Sequence, residues 1–212
     1  MTNISDNQNC KLILTDCDGV LLDWESHFET WMNSKGYKKL PDYDVTAYGL
    51  HIHYGIPKKE VQDLIALFNE SSAIGFCPSF RDAYMGVHDL ANAGYFFHVI
   101  TSLSDNPYSK LARRINLEKV FCNPYDGSFE YDDIFYGLDC LPVGADKDNV
   151  LAPFANTGMY WIEDKYENAL AGAKIGLNAI LLKHEHNFER VTPEDNIFVA
   201  ENWGDVVSHI LA

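Results

Sequence analysis

Short apolar runs alternate along the chain with longer stretches of helical periodicity. Six runs have the length and composition of strands, namely LILT (12–15), YFFHVITS (95–102), KVFC (119–122), MYWIED (159–164), NAILL (178–182) and NIFVA (196–200). The runs at 95–102 and 178–182 are almost continuously apolar, as in parallel strands that are covered on both faces. Apolar residues recur at helical spacing within 79–93, 107–117 and 165–176. This alternation predicts an α/β fold with a mostly parallel sheet.

The stretch 24–78 departs from this alternation. It contains no convincing core strand, and its apolar residues fall on two helical faces, Trp24, Phe28, Trp31 and Met32 on one and Val61, Leu64, Ile65 and Phe68 on the other. We therefore expect 24–78 to form a small helical cap inserted after the first strand, while 1–23 and 79–212 form the α/β core. The insertion is dense in aromatic residues, among them Tyr48, and one or two of these are candidates for stacking on a nucleobase.

Composition narrows the classes of function. The 212 residues carry a net charge of −15, which disfavours general nucleic-acid binding and binding to anionic membranes. The five cysteines show no metal-type spacing, so we expect reduced thiols in a cytoplasmic protein. The first ten residues lack the apolar core of a signal peptide, and no apolar run reaches the roughly 18 residues of a membrane span.

The chemistry-bearing residues stand where the predicted strands end. Asp16 and Asp18 follow the first run, and side chains two apart in a strand point to the same side. Two such carboxylates repel each other, so a metal ion, a shared proton or a reaction must compensate. Further polar residues stand at or between later strand ends, namely Thr101, Ser102, Lys147, Glu163, Asp164 and Asn168. Ligands of open α/β sheets bind beyond the carboxyl ends of the strands, so one cleft is predicted to hold all of them.

Four of these segments resemble the motifs of the haloacid-dehalogenase-like (HAD) hydrolases. DCDGVLLD (16–23) resembles the first motif, Asp-x-Asp-Gly-Val/Thr, and ITS (100–102) is similar to the second. Lys147 in ADKDNVL is the candidate third motif, and IEDKYENALAGAKIGLNAILL (162–182) resembles the fourth. The motifs occur in the family's order over most of 11–200. The resemblance implies a HAD-like Rossmannoid core with a small C1-type helical cap.

The resemblance also implies a reaction. Asp16 would attack the phosphorus of a substrate and form an aspartyl-phosphate. Asp18 would protonate the leaving oxygen and then activate water. Thr101 and Ser102 would donate hydrogen bonds to phosphate oxygens, and Lys147 would offset the negative charge of the phosphate and of Asp16.

A metal site is implied by the same resemblance. Mg²⁺ would bind Asp16, the backbone carbonyl of Asp18 and Asp164, because a hard cation prefers oxygen ligands. Asn168, with Glu163, would support the lysine or the metal shell from behind. Glu163 stands where many family members have glycine, so its role stays open. It would support the lysine, support the metal shell, or do neither.

The motifs favour a phosphatase that hydrolyses a small phosphomonoester. The family's dehalogenases lack the second aspartate, so Asp18 favours phosphoryl transfer over cleavage of a carbon–halogen bond. The short spacing from Lys147 to Asp164 and the compact insertion resemble the deoxyribonucleotidase branch, which makes a nucleoside monophosphate the first choice of substrate. The expected partner is a small phosphorylated metabolite, with no nucleic acid and no membrane. Three alternatives stay open: a phosphotransferase or phosphomutase, a polynucleotide end phosphatase, and a non-catalytic nucleotide- or phosphate-binding protein.

Other residues have weaker claims to function. The pairs His51/His53 and His184/His186 have the spacing of metal ligands on a strand, but neither has a third ligand nearby in the sequence, which favours exposed loop histidines. Arg81 is a candidate for contact with a substrate anion.

Overall fold

The sheet is all-parallel and contains six strands within the residues that the computed structural model describes, 11–122 and 130–212. The strands are β1 Leu12–Thr15, β2 Phe96–Ser102, β3 Phe135–Leu141, β4 Tyr160–Glu163, β5 Asn178–Leu182 and β6 Ile197–Ala200. Their order is β3-β2-β1-β4-β5-β6, so β1 lies between β2 and β4. The predicted α/β class and parallel sheet are confirmed.

Helices cover both faces of this sheet. In the described ranges the α-helices are α1 Trp24–Ser34, α2 Leu50–Tyr54, α3 Lys58–Asn69, α4 Ala83–Asn92, α5 Pro107–Phe121, α6 Tyr131–Ile134, α7 Asp148–Leu151, α8 Tyr166–Lys174 and α9 Trp203–Leu211. Ile13 and Ile162 pack with residues of α4, α5 and α9, whereas the adjacent Leu14 and Trp161 pack with Leu151 of α7 on the other face. None of the helices in these ranges combines the length and apolar character that a membrane span requires.

The predicted strand at 119–122 is wrong. Helix α5 continues through Phe121, so residues 119–121 form its last turn. Leu117 and Phe121, four residues apart, are fully buried on one face, whereas Lys119 is exposed. The missing strand is β3, with the sequence FYGLDCL. It lies at the edge of the sheet and is only partly buried, which explains its weak apolar signal.

Helix α4 begins at Ala83, four residues later than its periodicity predicts. Arg81 has a left-handed φ of +41°, which an α-helix does not contain. The backbone N–H of Phe80 donates to Leu21 at 2.9 Å, which ties this segment to the loop after β1.

The segment 24–78, all of it described, contains α1, α2, α3 and a short 3₁₀ helix at Ser72–Phe76, with no strand of its own. Its aromatic residues pack on one another, for example Trp24 stacked on Phe28 with centroids 4.8 Å apart. The side chain of Asp23 accepts from the N–H of Ser26 at 3.1 Å and so caps α1. Whether this segment acts as a separate cap stays a prediction.

Gly172 of α8 packs against the ring of Trp161, where a Cβ would clash with Cδ1 of the indole. Trp161 is fully buried and its Nε1 donates to the backbone carbonyl of Asn168 at 3.0 Å. The ring is therefore held in place and cannot easily shift to accommodate a Cβ. We expect Gly172→Ala to destabilise the fold by about 2 kcal/mol through overpacking, despite the helix propensity of alanine. Thermal unfolding should show a Tm lower by about 4–8 °C.

The matched control is Gly75→Ala, whose Cβ would meet its nearest atom at an ordinary 3.5 Å. Its Tm should stay close to that of the native protein. Equal melting temperatures for the two variants would contradict the packing described for Gly172.

Candidate active site

Three neighbouring strands deliver the predicted site residues to one edge of the sheet. Asp16 follows β1, Thr101 lies at the end of β2, and Glu163 ends β4 with Asp164 directly after it. The N–H of Asp16 donates to Ile162 at 2.8 Å, which holds the end of β1 beside β4. Because all three strands are parallel, their carboxyl ends meet where α/β sheets bind ligands.

Lys147 joins this edge from the loop that follows β3, at the N-terminus of α7. Its side chain is 2% exposed, and its Nζ lies 2.7 Å from Oδ2 of Asp16 and 2.7 Å from Oε1 of Glu163. Burial alone would lower the pKa of Lys147, but these two carboxylates hold it above its ordinary value. The lysine is therefore a fixed positive charge between two acids.

Glu163 is fully buried and accepts four hydrogen bonds. Its Oε1 accepts from Lys147 at 2.7 Å and from Nδ2 of Asn168 at 2.6 Å. Its Oε2 accepts from the N–H groups of Asp164 at 2.7 Å and Lys165 at 2.8 Å. Burial opposes ionisation, yet Lys147 and these donors hold the pKa of Glu163 below its ordinary value. A carboxylate has about four lone-pair positions, so these contacts favour support of Lys147 over metal ligation.

Carboxylate oxygens of Asp16, Glu163 and Asp164 lie within 4.8 Å of one another. Burial, and then the charges of Glu163 and Asp16, raise the pKa of Asp164 well above its ordinary value. Burial also raises the pKa of Asp16 to about 7, although Lys147 opposes the rise. A hard divalent cation would relieve this repulsion, so the donor set fits Mg²⁺. Since Glu163 is already saturated, Asp16, Asp164 and the backbone carbonyl of Asp18 remain the candidate ligands.

The loop after β1 passes close to Asp164. Gly19 has a φ of +78°, and a Cβ there would clash with Oδ2 of Asp164, so glycine is required on both counts. Nε2 of His184 lies 2.9 Å from the carbonyl of Gly19, and Nε1 of Trp203 donates to Val20 at 2.9 Å. These two side chains fix the backbone of the loop, and neither was predicted to do so.

The histidine pairs do not form metal sites in the described residues. His51 and His53 lie in α2 rather than on a strand, and helical positions two apart do not share a face. Nε2 of His53 instead lies 2.8 Å from the carbonyl of Ala47. Burial lowers the pKa of His184 to about 4, so its ring is neutral, and it stacks on Phe80 with centroids 5.0 Å apart.

The remaining predicted residues differ in their relation to the cleft. Thr101 is buried at the end of β2, and the hydroxyl of Ser102 donates to Ala145 at 3.1 Å, which draws in the loop that carries Lys147. Nη1 of Arg81 donates to the carbonyl of Glu201 at 3.3 Å, and contact of Arg81 with a substrate anion stays a prediction.

Tyr48, from the segment between α1 and α2, lies near the acidic edge. Its ring centroid is 5.2 Å from that of His186 and 5.8 Å from Nζ of Lys165. Desolvation, and then the charges of Asp164 and Glu163, raise the pKa of its hydroxyl. An aromatic ring that is 61% exposed thus stands beside Lys165, the residue after Asp164.

Arg113 of α5 is a charged neighbour of the site that the motifs do not include. Its Nη2 lies 2.7 Å from Oδ1 of Asp18, and its side chain is completely buried. Burial raises the pKa of Asp18, and Arg113 and then Lys147 oppose that rise. The sequence contains one hint that Arg113 is buried. It lies one helical turn before the apolar Leu117, so the two share a face of α5, and both are buried.

The fold is shared with solved HAD-like proteins, although no family model and no curated protein matches the sequence. A HAD-like hydrolase from Streptococcus pneumoniae is 13% identical over 95% of this chain and 98% of its own, with a TM-score of 0.60. CbbY from Rhodobacter sphaeroides, in complex with phosphate, is 15% identical over 93% and 96%, with a TM-score of 0.55. A D,D-heptose 1,7-bisphosphate phosphatase from B. bronchiseptica, complexed with magnesium and phosphate, is 12% identical over 94% and 97%, with a TM-score of 0.55. The HAD-like fold implied by the motifs is confirmed.

Asp164→Asn should stabilise the protein in the absence of divalent metal. An acid whose pKa is raised by folding costs stability once the pH exceeds its unfolded value, and the cost is complete above the folded value. We expect a Tm about 2–4 °C higher than native near pH 8, equivalent to about 1 kcal/mol, with a gain that shrinks toward pH 5. Thermal unfolding in EDTA across this range measures it.

Asp132→Asn serves as the control, because the side chain of Asp132 is 88% exposed and lies on α6. It should leave Tm unchanged at each pH. A lower Tm for Asp164→Asn at the alkaline end would contradict the repulsion described here.

Proposed function

We propose that the protein is a phosphatase that hydrolyses a small phosphomonoester through an aspartyl-phosphate on Asp16. The observation that carries the proposal is the ion pair between Asp16 and the buried Lys147, at the strand end where Asp18 also stands. A carboxylate that Lys147 orients, and that a bound cation would keep ionised, is a competent nucleophile, and an acid two residues along the loop can serve the leaving group. The phosphatase named among the similar folds supports the same chemistry.

The proposed reaction has two steps, transfer of the phosphoryl group to Asp16 and its hydrolysis. In the first, a carboxylate oxygen of Asp16 bonds to phosphorus as the ester P–O bond breaks, and the leaving oxygen takes a proton from Asp18. In the second, Asp18 takes a proton from water as the water oxygen attacks the same phosphorus, which frees inorganic phosphate and restores Asp16. Lys147 keeps Asp16 oriented and offsets negative charge on the phosphate, while Thr101 donates to one of its oxygens. Ser102 would have to give up its hydrogen bond to Ala145 before its hydroxyl could donate to the phosphate as well.

The proposal includes a divalent cation, with Mg²⁺ as the favoured ion. Asp16, Asp164 and the backbone carbonyl of Asp18 would hold it, as hard oxygen donors. When bound, the cation neutralises the carboxylate cluster and compensates the charge of the phosphate. The magnesium in the similar D,D-heptose 1,7-bisphosphate phosphatase supports this assignment.

Within this class we propose a nucleoside monophosphate as the substrate. Tyr48 offers an aromatic ring with Lys165 beside it. A nucleobase could stack on this ring, as bases do on aromatic side chains of nucleic-acid-binding proteins. A helical cap over the site would limit the size of substrates and exclude water during transfer.

A cytoplasmic location accords with the free thiols of Cys17, Cys77, Cys122 and Cys140.

Phosphate release from a panel of phosphomonoesters tests the activity. The panel contains ribo- and deoxyribonucleoside monophosphates, sugar phosphates and phosphoglycolate, each with Mg²⁺ and with EDTA. We expect Mg²⁺-dependent release that falls at least about 10³-fold in Asp16→Asn, because the nucleophile is lost, while Asp132→Asn retains native rates. A folded native protein that releases no phosphate, or that transfers it to a sugar, would overturn the proposal.

Tyr48→Ala and Tyr48→Phe test the substrate class. If Tyr48 stacks on the base, Tyr48→Ala should raise KM for a nucleoside monophosphate about tenfold, the equivalent of about 1.4 kcal/mol of stacking. KM for ribose 5-phosphate should not change, and Tyr48→Phe should behave like the native protein. Equal effects of Tyr48→Ala on both substrates would rule out base recognition by this ring.

A further inference from the structure

Arg113 is a fully buried cation that the proposed reaction does not yet use. Its guanidinium lies beside the loop after β1, and the thiols of Cys17, Cys77 and Cys140 are its other titratable neighbours. These thiols are neutral, since burial raises the pKa of each of them. Within 11–122 and 130–212, Asp18 is the carboxylate with which Arg113 forms an ion pair.

The two oxygens of Asp18 have different surroundings. Oδ1 lies 2.7 Å from Nη2 of Arg113, a charge contact that lacks the geometry of a hydrogen bond, and has essentially no contact with solvent. The side chain as a whole is nevertheless 22% exposed, so the exposed surface belongs to the rest of the side chain. Arg113 therefore anchors one oxygen inward and leaves the other available.

This geometry determines where a proton on Asp18 can reside. A proton on Oδ1 would lie between the carboxyl and a guanidinium, which has donors only and cannot accept it. The protonated acid therefore keeps Oδ1 in its charge contact with Arg113 and carries its proton on Oδ2. After the proton has left, the carboxylate stays paired with the same cation.

We propose that Arg113 is a positioning residue that fixes the carboxyl of Asp18 and directs its proton to Oδ2, the oxygen that serves the leaving group. The inference rests on the proposed phosphatase function and deepens it. Arg113 does not touch the substrate and acts through Asp18 alone. Removal of Arg113 should therefore lower kcat/KM most for substrates whose leaving group depends most on protonation.

The test compares kcat/KM for two substrates, because kcat/KM reports the steps up to departure of the leaving group. One is p-nitrophenyl phosphate, whose leaving group needs little protonation, and the other is the best alkyl phosphate of the panel. We expect Arg113→Met to lower kcat/KM about 10²-fold for the alkyl ester and no more than about threefold for the aryl ester. Asp18→Asn should show the same selectivity, and the double variant should lose no more than Asp18→Asn alone.

Arg114→Met is the matched control, since Arg114 is the next residue of α5 and its side chain is 54% exposed. It should leave both values unchanged. Equal losses for both substrates in Arg113→Met, or losses that multiply in the double variant, would overturn the inference and leave the phosphatase proposal intact. A native protein without phosphatase activity would overturn both.

A second measurement on the native protein does not depend on the folding of a variant. A crystal structure with Mg²⁺ and aluminium fluoride, a mimic of the phosphoryl group in transfer, should keep Nη2 of Arg113 within about 3 Å of Oδ1 of Asp18. Oδ2 should face the leaving-group side of the fluoride. A structure in which Asp18 has rotated away from Arg113 would overturn the inference.

Discussion

The ammonium group of Lys147 is buried at the edge of the sheet, and a buried charge is costly unless it is paired and hydrogen-bonded. Its two partners, Asp16 and Glu163, follow adjacent parallel strands, so the ion pair forms only when β1 and β4 are in register. Glu163 also holds the first turn beyond β4 through the N–H groups of Asp164 and Lys165. Removal of Lys147 would leave adjacent acids without compensation, so the order of the site depends on this one cation.

A second buried cation organises the other half of the site. Arg113 of α5 pairs with Asp18, while Lys147, from the loop after β3, pairs with Asp16. The two aspartates of one short loop are thus assigned to different cations. In the proposed reaction this division corresponds to two tasks, nucleophile for Asp16 and proton carrier for Asp18.

Sequence predicted those site residues whose type and spacing the reaction itself requires. Asp16, Asp18 and Asp164 stand at predicted strand ends, and Lys147 occurs in motif order, so sequence alone indicated one acidic cleft. Arg113 was missed because its partner is distant in the chain and its helical pattern does not reveal which loop it meets. The strand predicted at 119–122 was wrong because a run of four residues is too short to distinguish a strand from the last turn of a helix, and β3 was missed because an edge strand needs fewer apolar residues.

The covalent bond from Asp16 to phosphorus in the proposed reaction is tested most directly by trapping it. The native protein would be mixed with its best substrate and Mg²⁺, quenched in acid during turnover, reduced with borohydride and digested for mass spectrometry. An acyl phosphate is reduced to an alcohol, so the account predicts homoserine at position 16 and unmodified aspartate at positions 18 and 164. Efficient turnover with no modification at position 16, or with the modification at another acid, would contradict it.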